Sequence, residues 1–266
     1  MTPPAPGVPG AGDPTPGGPA RSGPDGAPSA ASDTWPVGRE GVPFWGPAAS
    51  WLLFRALWPT RVHDARLVPD RGPVLFASNH IGFLDGPMLV AVAPRFVHCL
   101  VKQEMFRGPI AVILRSAQQI PVDRGRGDRG ALGTALELLA AGGTVGVFPE
   151  GTRGRGDVGE VRQGIAWLAL RSGAPVVPVA CLGTRRTGES TTRPPWPGRR
   201  LDVVFGEPMT LTAPAGVPGR VALAEASATL RDTMAAHVMR AQTRTGQSLP
   251  EDLGWTPDEI ARGEHL

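Results

Sequence analysis

The sequence between residues 73 and 242 alternates short apolar runs with segments of helical periodicity, and this alternation limits the fold more than any other feature. We predict strands at 73–78, 119–122, 144–148, 175–181 and 201–205, because each run is short and mostly apolar. Helices are predicted at 86–92, 129–141, 159–171 and 219–242, and glycines at 142, 143 and 173 are placed to end two of them. Alternation of this kind predicts an α/β fold, a single domain with a largely parallel sheet flanked by helices.

Both ends of the chain differ in composition from this middle part. Residues 1–33 contain nine prolines and seven glycines and almost no large apolar side chains. Such a segment buries too little surface to offset its ordering entropy, so we predict that it is disordered. The domain is then predicted at 35–245, followed by a tail at 246–266. Thr256 and Glu259 form a capping box that predicts a short helix in this tail.

An apolar segment at 44–62 precedes the alternating part and contains four bulky apolar residues in a row at 51–54. It predicts an N-terminal helix that packs on the core or lies at a membrane interface. Arg55 and Arg61 favour the interface. A spanning helix is not expected, since no run of eighteen apolar residues exists. The N-terminus lacks the apolar core of a signal peptide. Together these features predict a peripheral or monotopic protein at the cytoplasmic face of the cell membrane.

The charge of the chain comes mainly from arginine. The formal net charge is +3, and Lys102 is the only lysine. Arginine binds phosphate through a two-pronged fork, which favours an anionic ligand or surface. Outside the motifs, the many arginines also fit a gene of high G+C content. Cys99 and Cys181 lie in apolar stretches and are predicted to be core residues, with neither a disulfide nor a metal site expected.

Three polar clusters each follow a predicted strand directly. The first runs from Asn79 to Asp85, the second is Asp123-Arg124, and the third spans 149–153. In parallel α/β sheets, ligands bind outside the carboxyl ends of the strands. We therefore expect the three clusters to meet at one edge of the sheet and to form a single site.

The first cluster has the residues of a general base and its partner. His80 is suited to take a proton from a hydroxyl near neutral pH. Asp85 can fold back across a turn at Gly82, hold the imidazole tautomer and stabilise the imidazolium. A substrate hydroxyl would then replace the nucleophile of a catalytic triad. For an isolated His-x4-Asp pair, turn and helix-cap roles are the commoner explanation.

The other clusters carry cations suited to an anionic ligand. Arg124 and Arg153 are expected to reach an anion, helped by backbone amides around Gly151. Glu150 is expected either to hydrogen-bond a ligand hydroxyl or to pair with an arginine. Lys102 lies between the first two clusters in the sequence, where a solvated role is the ordinary one.

These blocks resemble those of the glycerolipid acyltransferases, the family that includes bacterial lysophosphatidic acid acyltransferase. SNHIGFLD resembles the family's NHx4D block, and VFPEGTRGRG resembles its FPEGTRS block. QIPVDR resembles the GxxFIxR block, PVVPVA the fourth block, and VKQEMF a segment with a basic residue. The similarity runs over about 72–184. Gln118, Pro121 and Gly154 depart from the pattern and leave the acyl acceptor open.

The resemblance implies a mechanism without a metal or a cofactor. His80 would be the general base and Asp85 its partner. The glycerol phosphate would be bound by Arg124, Glu150, Gly151, Thr152 and Arg153, with help from Lys102. The acyl donor would be a thioester of coenzyme A or acyl carrier protein. The expected partners are this donor, a lysophospholipid acceptor and a membrane surface, and nucleic acid is not among them.

The resemblance implies acylation of lysophosphatidate at its free hydroxyl to give phosphatidate, in phospholipid biosynthesis. Three alternatives stay open at this stage. In the first alternative, the acceptor is glycerol 3-phosphate, another lyso-lipid or a lipid amino-alcohol. The second is a catalytically silent lipid-binding protein, against which the intact His80–Asp85 pair argues. The third is a phosphate-ester hydrolase, for which the sequence lacks clustered metal ligands.

Overall fold

A computed structural model describes residues 1–2, 52, 54–123 and 128–254 of the chain. Its strands are β1 (Thr60–His63), β2 (Val74–Ser78), β3 (His98–Lys102), β4 (Ile120–Val122), β5 (Thr144–Val147), β6 (Val176–Leu182) and β7 (Leu201–Phe205). Its α-helices are α1 (Asp85–Val92), α2 (Gly108–Ser116), α3 (Arg129–Ala140), α4 (Gln163–Ser172) and α5 (Gly219–Thr245). Short 3-10 helices span Ala65–Leu67 and Gln103–Phe106.

The strands form a seven-stranded sheet in the order β1-β7-β6-β2-β5-β3-β4. Strands β2 to β6 run in one direction, and β7 pairs antiparallel with β6 and parallel with β1. The prediction of an α/β domain with a largely parallel sheet flanked by helices is confirmed. Strands β2 and β5 are neighbours in the middle of the sheet, so their carboxyl ends, and the loops that follow, lie next to each other.

Apolar side chains cover both faces of the sheet, as expected for parallel strands buried on two sides. One cluster joins the sheet to α3, α4 and α5, and the other joins the opposite face to α1 and Phe54. Cys99 and Cys181 are both buried and unpaired, so the prediction of core cysteines is confirmed. A Cβ on Gly146 would lie 2.7 Å from the Cys99 sulfur. Glycine is therefore required at this position of β5, because a side chain would collide with Cys99 and Val97.

The predicted elements correspond to observed ones, with ends shifted by a few residues. The start of α4 is four residues later than predicted, because Arg162 is still extended (φ −66°, ψ 137°) and caps the helix. The glycines at 173 and 246 adopt left-handed backbone at the ends of α4 and α5, a conformation that glycine tolerates without strain.

Three elements, β1, β3 and α2, are absent from the sequence prediction, and the predicted end of the apolar helix is wrong. Residues 60–62 belong to β1, and not to the apolar helix predicted at 44–62. The helical residues 54–57 end before Pro59, and Thr60 then pairs with Leu201 of β7. Pairing with β7 buries Thr60, and this tertiary contact decides the conformation.

Within the described residues, no helix is long and apolar enough to cross a membrane. The predicted disordered segment at 1–33 lies outside the described residues except for residues 1–2, and so do residues 44–51 and 53 of the apolar segment. The capping box at Thr256 and Glu259 also lies outside them.

Candidate active site

The loop after β2 is fastened to the neighbouring strand β6 by Asn79. The Asn79 side chain accepts a hydrogen bond from the Cys181 backbone nitrogen at 2.7 Å and donates one to the Cys181 carbonyl at 3.2 Å. Asn79 is fully buried, so these bonds satisfy polar groups that water does not reach. They fix the point at which the chain leaves β2, one residue before His80.

His80 and Asp85 form the hydrogen-bonded pair that the sequence predicts. The His80 Nδ1 lies 2.8 Å from the Asp85 Oδ2, and both side chains are buried. The same Oδ2 accepts the backbone N–H groups of Ile81 at 2.6 Å and Gly82 at 2.8 Å. The Thr184 hydroxyl donates to the Asp85 Oδ1. With Nδ1 directed to a carboxylate held by three further donors, Nε2 becomes the basic nitrogen of the imidazole.

The His80 ring is held from the side by the first residue after β5. The rings of His80 and Phe148 stack with centroids 4.3 Å apart and an interplanar angle of 29°. The His80 backbone N–H donates to the Glu150 carboxylate at 2.8 Å, and the His80 carbonyl accepts from the Gly154 nitrogen at 2.9 Å. The loop that follows β2 and the loop at 148–153, which carries the FPEGTR motif and is called here the FPEGTR loop, are thus joined at His80.

Burial raises the pKa of the Glu150 carboxyl from 4.5 to about 8, and the charges of Asp157 and Asp85 add to this rise. The backbone N–H groups of His80 and Gly156 oppose it. At pH 7 the carboxyl is therefore mostly protonated. Of the two roles expected for Glu150, a hydrogen bond to a ligand fits this environment better than an ion pair with arginine.

Glycines let the loop after β5 pass close to its neighbours. Gly151 and Gly156 have φ values of +75° and +70°. A Cβ on Gly156 would overlap Ile81 and lie 2.9 Å from the Asn79 amide nitrogen, and one on Gly151 would overlap the Arg162 side chain. Larger residues are thus excluded at Gly156 for steric and backbone reasons, whereas at Gly151 the left-handed backbone is the main constraint because the Arg162 side chain can move. Thr152 lies in the same loop, one residue after Gly151.

Arg153 is a largely buried cation with an incomplete set of partners. Its guanidinium carbon lies 5.5 Å from the centroid of the Phe83 ring, and one nitrogen is 3.4 Å from the Thr191 carbonyl. Its Nε has no hydrogen-bond partner among the described residues. Burial lowers the Arg153 pKa, and the charge of Asp85 opposes that shift. A guanidinium stays charged in proteins, so this environment favours an incoming anion.

Two residues directly after β6 complete the site, and the sequence reasoning missed both. Thr184 donates to Asp85, as described above. Arg185 is fully buried and donates to the Ile81 and Gly154 carbonyls, both at 2.9 Å. It also pairs with Asp252, so one guanidinium ties together the two motif loops and the segment after α5. Their position after a third parallel strand was the sequence signal that could have found them.

The remaining predicted residues are less closely connected to His80. Arg124 lies outside the described residues. Asp123 follows β4, three strands from β2, which corresponds to roughly 14 Å at the usual strand spacing. Lys102 ends β3 at the same edge of the sheet, and its Nζ lies 4.0 Å from the Glu104 carboxylate. The structure therefore brings together His80, Asp85, Glu150 and the loop of Gly151, Thr152 and Arg153.

A cavity of about 610 Å³ opens beside the FPEGTR loop, on the face of the sheet covered by α3 and α4. Phe148, Pro149 and Gly151 form the part of its wall next to the site. Its interior is mostly aliphatic, with Leu100, Val122, Leu132, Val147, Leu168 and Leu223 among the lining residues. Arg162 lies against Gly151 at this wall and is a second cation that the sequence reasoning missed.

Comparison with known proteins shows which protein family this chain resembles. A family model described as Acyltransferase matches residues 59–182, which contain every motif residue of the site. The family match, a curated relative and a solved structure together support membership of this chain in the glycerolipid acyltransferase family. The same comparisons support an acyltransferase enzyme. Thr184, Arg185 and Asp252 of this acyltransferase lie beyond the matched residues.

Two curated relatives and one solved structure are similar to this acyltransferase. The 1-acyl-sn-glycerol-3-phosphate acyltransferase of Bacillus subtilis is 28% identical, over 62% of this chain and 80% of the relative. The lyso-ornithine lipid O-acyltransferase of Pseudomonas aeruginosa is 33% identical, over 56% of this chain and 58% of the relative. The crystal structure of the 1-acyl-sn-glycerophosphate acyltransferase PlsC from Thermotoga maritima gives a TM-score of 0.56 at 20% identity. That likeness covers 76% of this chain and 80% of PlsC, and it shows a shared fold.

Proposed function

We propose that this enzyme transfers a fatty acyl group from a thioester of coenzyme A or acyl carrier protein to the free hydroxyl of lysophosphatidate. The product would be phosphatidate, an intermediate of phospholipid biosynthesis. The main observation behind this proposal is that His80 bonds both to Asp85 and to the FPEGTR loop. His80 pairs with Asp85 at 2.8 Å through its ring, and its backbone N–H bonds to Glu150 of the FPEGTR loop.

In the proposed reaction, His80 Nε2 takes the proton of the acceptor hydroxyl while the hydroxyl oxygen attacks the thioester carbonyl carbon. Asp85 holds the ring and stabilises the imidazolium. The tetrahedral intermediate then collapses, the C–S bond breaks, and the imidazolium proton passes to the leaving sulfur. The histidine returns to its starting state, and no metal or prosthetic group takes part.

The acceptor phosphate is proposed to bind at the FPEGTR loop. Arg153 supplies a buried positive charge whose Nε lacks a partner among the described residues. The protonated Glu150 carboxyl supplies a hydrogen-bond donor, and the backbone N–H of Thr152 is proposed to supply another. Arg124 and Lys102 are proposed to assist from the neighbouring strands.

An aliphatic chain of one substrate is proposed to occupy the cavity beside this loop. Its volume of about 610 Å³ and its aliphatic lining suit an alkyl chain. Both substrates carry such chains in or near a membrane. We propose that the enzyme acts at the cytoplasmic face of the cell membrane, as a peripheral or monotopic protein.

A lyso-ornithine lipid is the second candidate acceptor. The relative from Pseudomonas aeruginosa is named for this substrate and is 33% identical. Gly154 stands where the family block has serine, which leaves the headgroup contacts of this loop open to change. The chemistry at His80 would be the same with either acceptor.

The test is acyl transfer from acyl-CoA and from acyl carrier protein to lysophosphatidate, glycerol 3-phosphate and lyso-ornithine lipid. We expect the highest kcat/KM with lysophosphatidate and a loss of transfer in His80→Ala. Transfer that survives His80→Ala unchanged would overturn the mechanism. Higher kcat/KM with lyso-ornithine lipid would replace the proposed acceptor, and no transfer with any pair would support a lipid-binding protein without catalysis.

A further inference from the structure

Several large apolar side chains are exposed at the edge of the sheet where His80 lies. Strands β1 and β7 run opposite to β2, so their amino ends share an edge with the carboxyl end of β2. Trp196, between β6 and β7, is 83% exposed, and Leu57, just before β1, is 37% exposed. Leu253 is 58% exposed, and a Cβ on Gly154 would lie 3.8 Å from it. We call the group of Trp196, Leu57, Leu253 and Arg193 the Trp196 surface.

The position of Trp196 is fixed by bonds to the segment before β1. The Trp58 indole donates to the Pro195 carbonyl at 3.1 Å, and the Gly198 nitrogen donates to the Leu57 carbonyl at 2.7 Å. Prolines on both sides of Trp196 restrict the backbone further. The loop is therefore held in place while its largest side chain points into solvent. The exposed indole is grouped with the exposed side chains of Leu57 and Leu253, and an exposed apolar group of this kind indicates a partner surface.

The charge of this loop favours an anionic partner. Arg186 and Arg193 are exposed. Glu189 is the only acidic residue between 183 and 200, and its carboxylate pairs with Arg199. That pairing lowers the pKa of Glu189 and offsets its charge. A tryptophan beside arginines matches the headgroup region of a bilayer that contains anionic lipids.

We propose that the Trp196 surface docks the enzyme on an anionic lipid bilayer, with the Trp196 indole at the headgroup level. This inference rests on the proposed function, since it places the mouth of the site on the membrane that would hold the acceptor. Thr184 and Arg185, which bond the catalytic loops, begin the same loop that carries Trp196. Docking on this surface would place the bilayer at the edge of the sheet where His80 lies.

The experiment compares the full-length protein with Trp196→Ser and Arg193→Gln by flotation with phosphatidylcholine vesicles, with and without phosphatidylglycerol. Val221→Ser is the matched control, because Val221 is 45% exposed in the first turn of α5. We expect Trp196→Ser to lower the bound fraction several-fold. Arg193→Gln should weaken binding to anionic vesicles roughly fivefold and leave binding to neutral vesicles unchanged. Val221→Ser should float like the wild type.

Acyl transfer measured on two forms of the acceptor separates docking from catalysis. Trp196→Ser should lose activity with the acceptor in anionic vesicles and retain it with a short-chain acceptor dissolved as monomers. The docking proposal is overturned if Trp196→Ser floats like the wild type, or if Ile113→Ser on the exposed helix α2 abolishes flotation instead. It is also overturned if Trp196→Ser dissociates an oligomer without changing flotation. Absence of transfer in every form would overturn the proposed function, and flotation tests docking independently.

Discussion

The loops after β2 and β5 lie side by side at the same edge of the sheet, yet they differ in how their charged groups are satisfied. In the β2 loop, the Asp85 carboxylate has four donors, from His80, Ile81, Gly82 and Thr184. In the β5 loop, the Arg153 Nε lacks a partner among the described residues, and Glu150 is largely buried with a raised pKa. In the first loop the protein itself satisfies the carboxylate, whereas the second loop leaves a donor that we propose the acceptor phosphate occupies.

This difference separates two kinds of contribution to the reaction. Preorganised groups that act on the reacting atoms affect kcat. Groups that bind a remote part of the substrate equally well in the ground state and in the transition state affect KM. Substitutions in the β2 loop should therefore lower kcat, and substitutions in the β5 loop should raise the acceptor KM.

Apart from removal of the base itself, the largest effect is expected from Asp85→Asn. The amide keeps the size of the side chain but no longer stabilises the imidazolium or selects its tautomer, so kcat should fall about 10³- to 10⁴-fold. Thr184→Val, which removes one donor to the same carboxylate, should lower kcat much less. Steady-state kinetics with saturating donor measure both. Equal losses in the two variants would show that the carboxylate is a structural group of the loop.

A smaller effect, on the acceptor KM, is expected from Arg153→Ala. Loss of one charged hydrogen-bonding group to the phosphate should raise KM about tenfold to a hundredfold. The matched control is Arg155→Ala, because Arg155 is half exposed and pairs with Asp157 at 3.5 Å. Its KM should be close to that of the wild type. An unchanged KM in Arg153→Ala would place the phosphate elsewhere.

The smallest effect concerns the pH dependence of the acceptor KM. Since the Glu150 pKa is raised to about 8, the carboxyl donates below pH 8 and becomes ionised above it. The wild-type KM should therefore rise above pH 8 by several-fold. Glu150→Gln should remove this rise, because the amide donates at every pH, whereas Glu160→Gln at an exposed position should keep it.

The same protonation links stability to pH. The folded state holds the Glu150 proton up to about pH 8, and the unfolded chain releases it near 4.5. The folded state thus binds more protons between these values, and its free energy of unfolding falls as pH rises through that range. Thermal unfolding of Glu150→Gln should lack this component. A wild-type slope retained in Glu150→Gln would assign the titration to another group.

The fold was predictable where local sequence decides the structure. Strands β2 and β5 are short apolar runs ended by polar residues, and α5 has a long helical period closed by Gly246. Strand β3 begins at His98, and α2 is a short apolar run whose strand or helix character is ambiguous by itself. Strand β1 becomes a strand through its pairing with β7. Such tertiary effects cannot be predicted from the local sequence pattern.

The site was predictable where residues follow strands of the same direction. His80, Asp85 and the FPEGTR loop meet because β2 and β5 are adjacent. The roles of Thr184 and Arg185 depend on β6 being the other neighbour of β2, which requires the strand order. The stacking of Phe148 on His80 depends on the rotation of the strand end. Neither the strand order nor this rotation can be derived from residue spacing.

The most direct test measures kcat and the acceptor KM of His80→Ala and Arg153→Ala side by side with lysophosphatidate. Removal of the base should lower kcat at least as much as Asp85→Asn does, by about 10⁴-fold, with a nearly unchanged KM. Arg153→Ala should show the opposite pattern, a raised KM with a kcat close to that of the wild type. The same pattern in both variants, or a His80→Ala enzyme with wild-type kcat, would contradict the division between a catalytic loop and a binding loop.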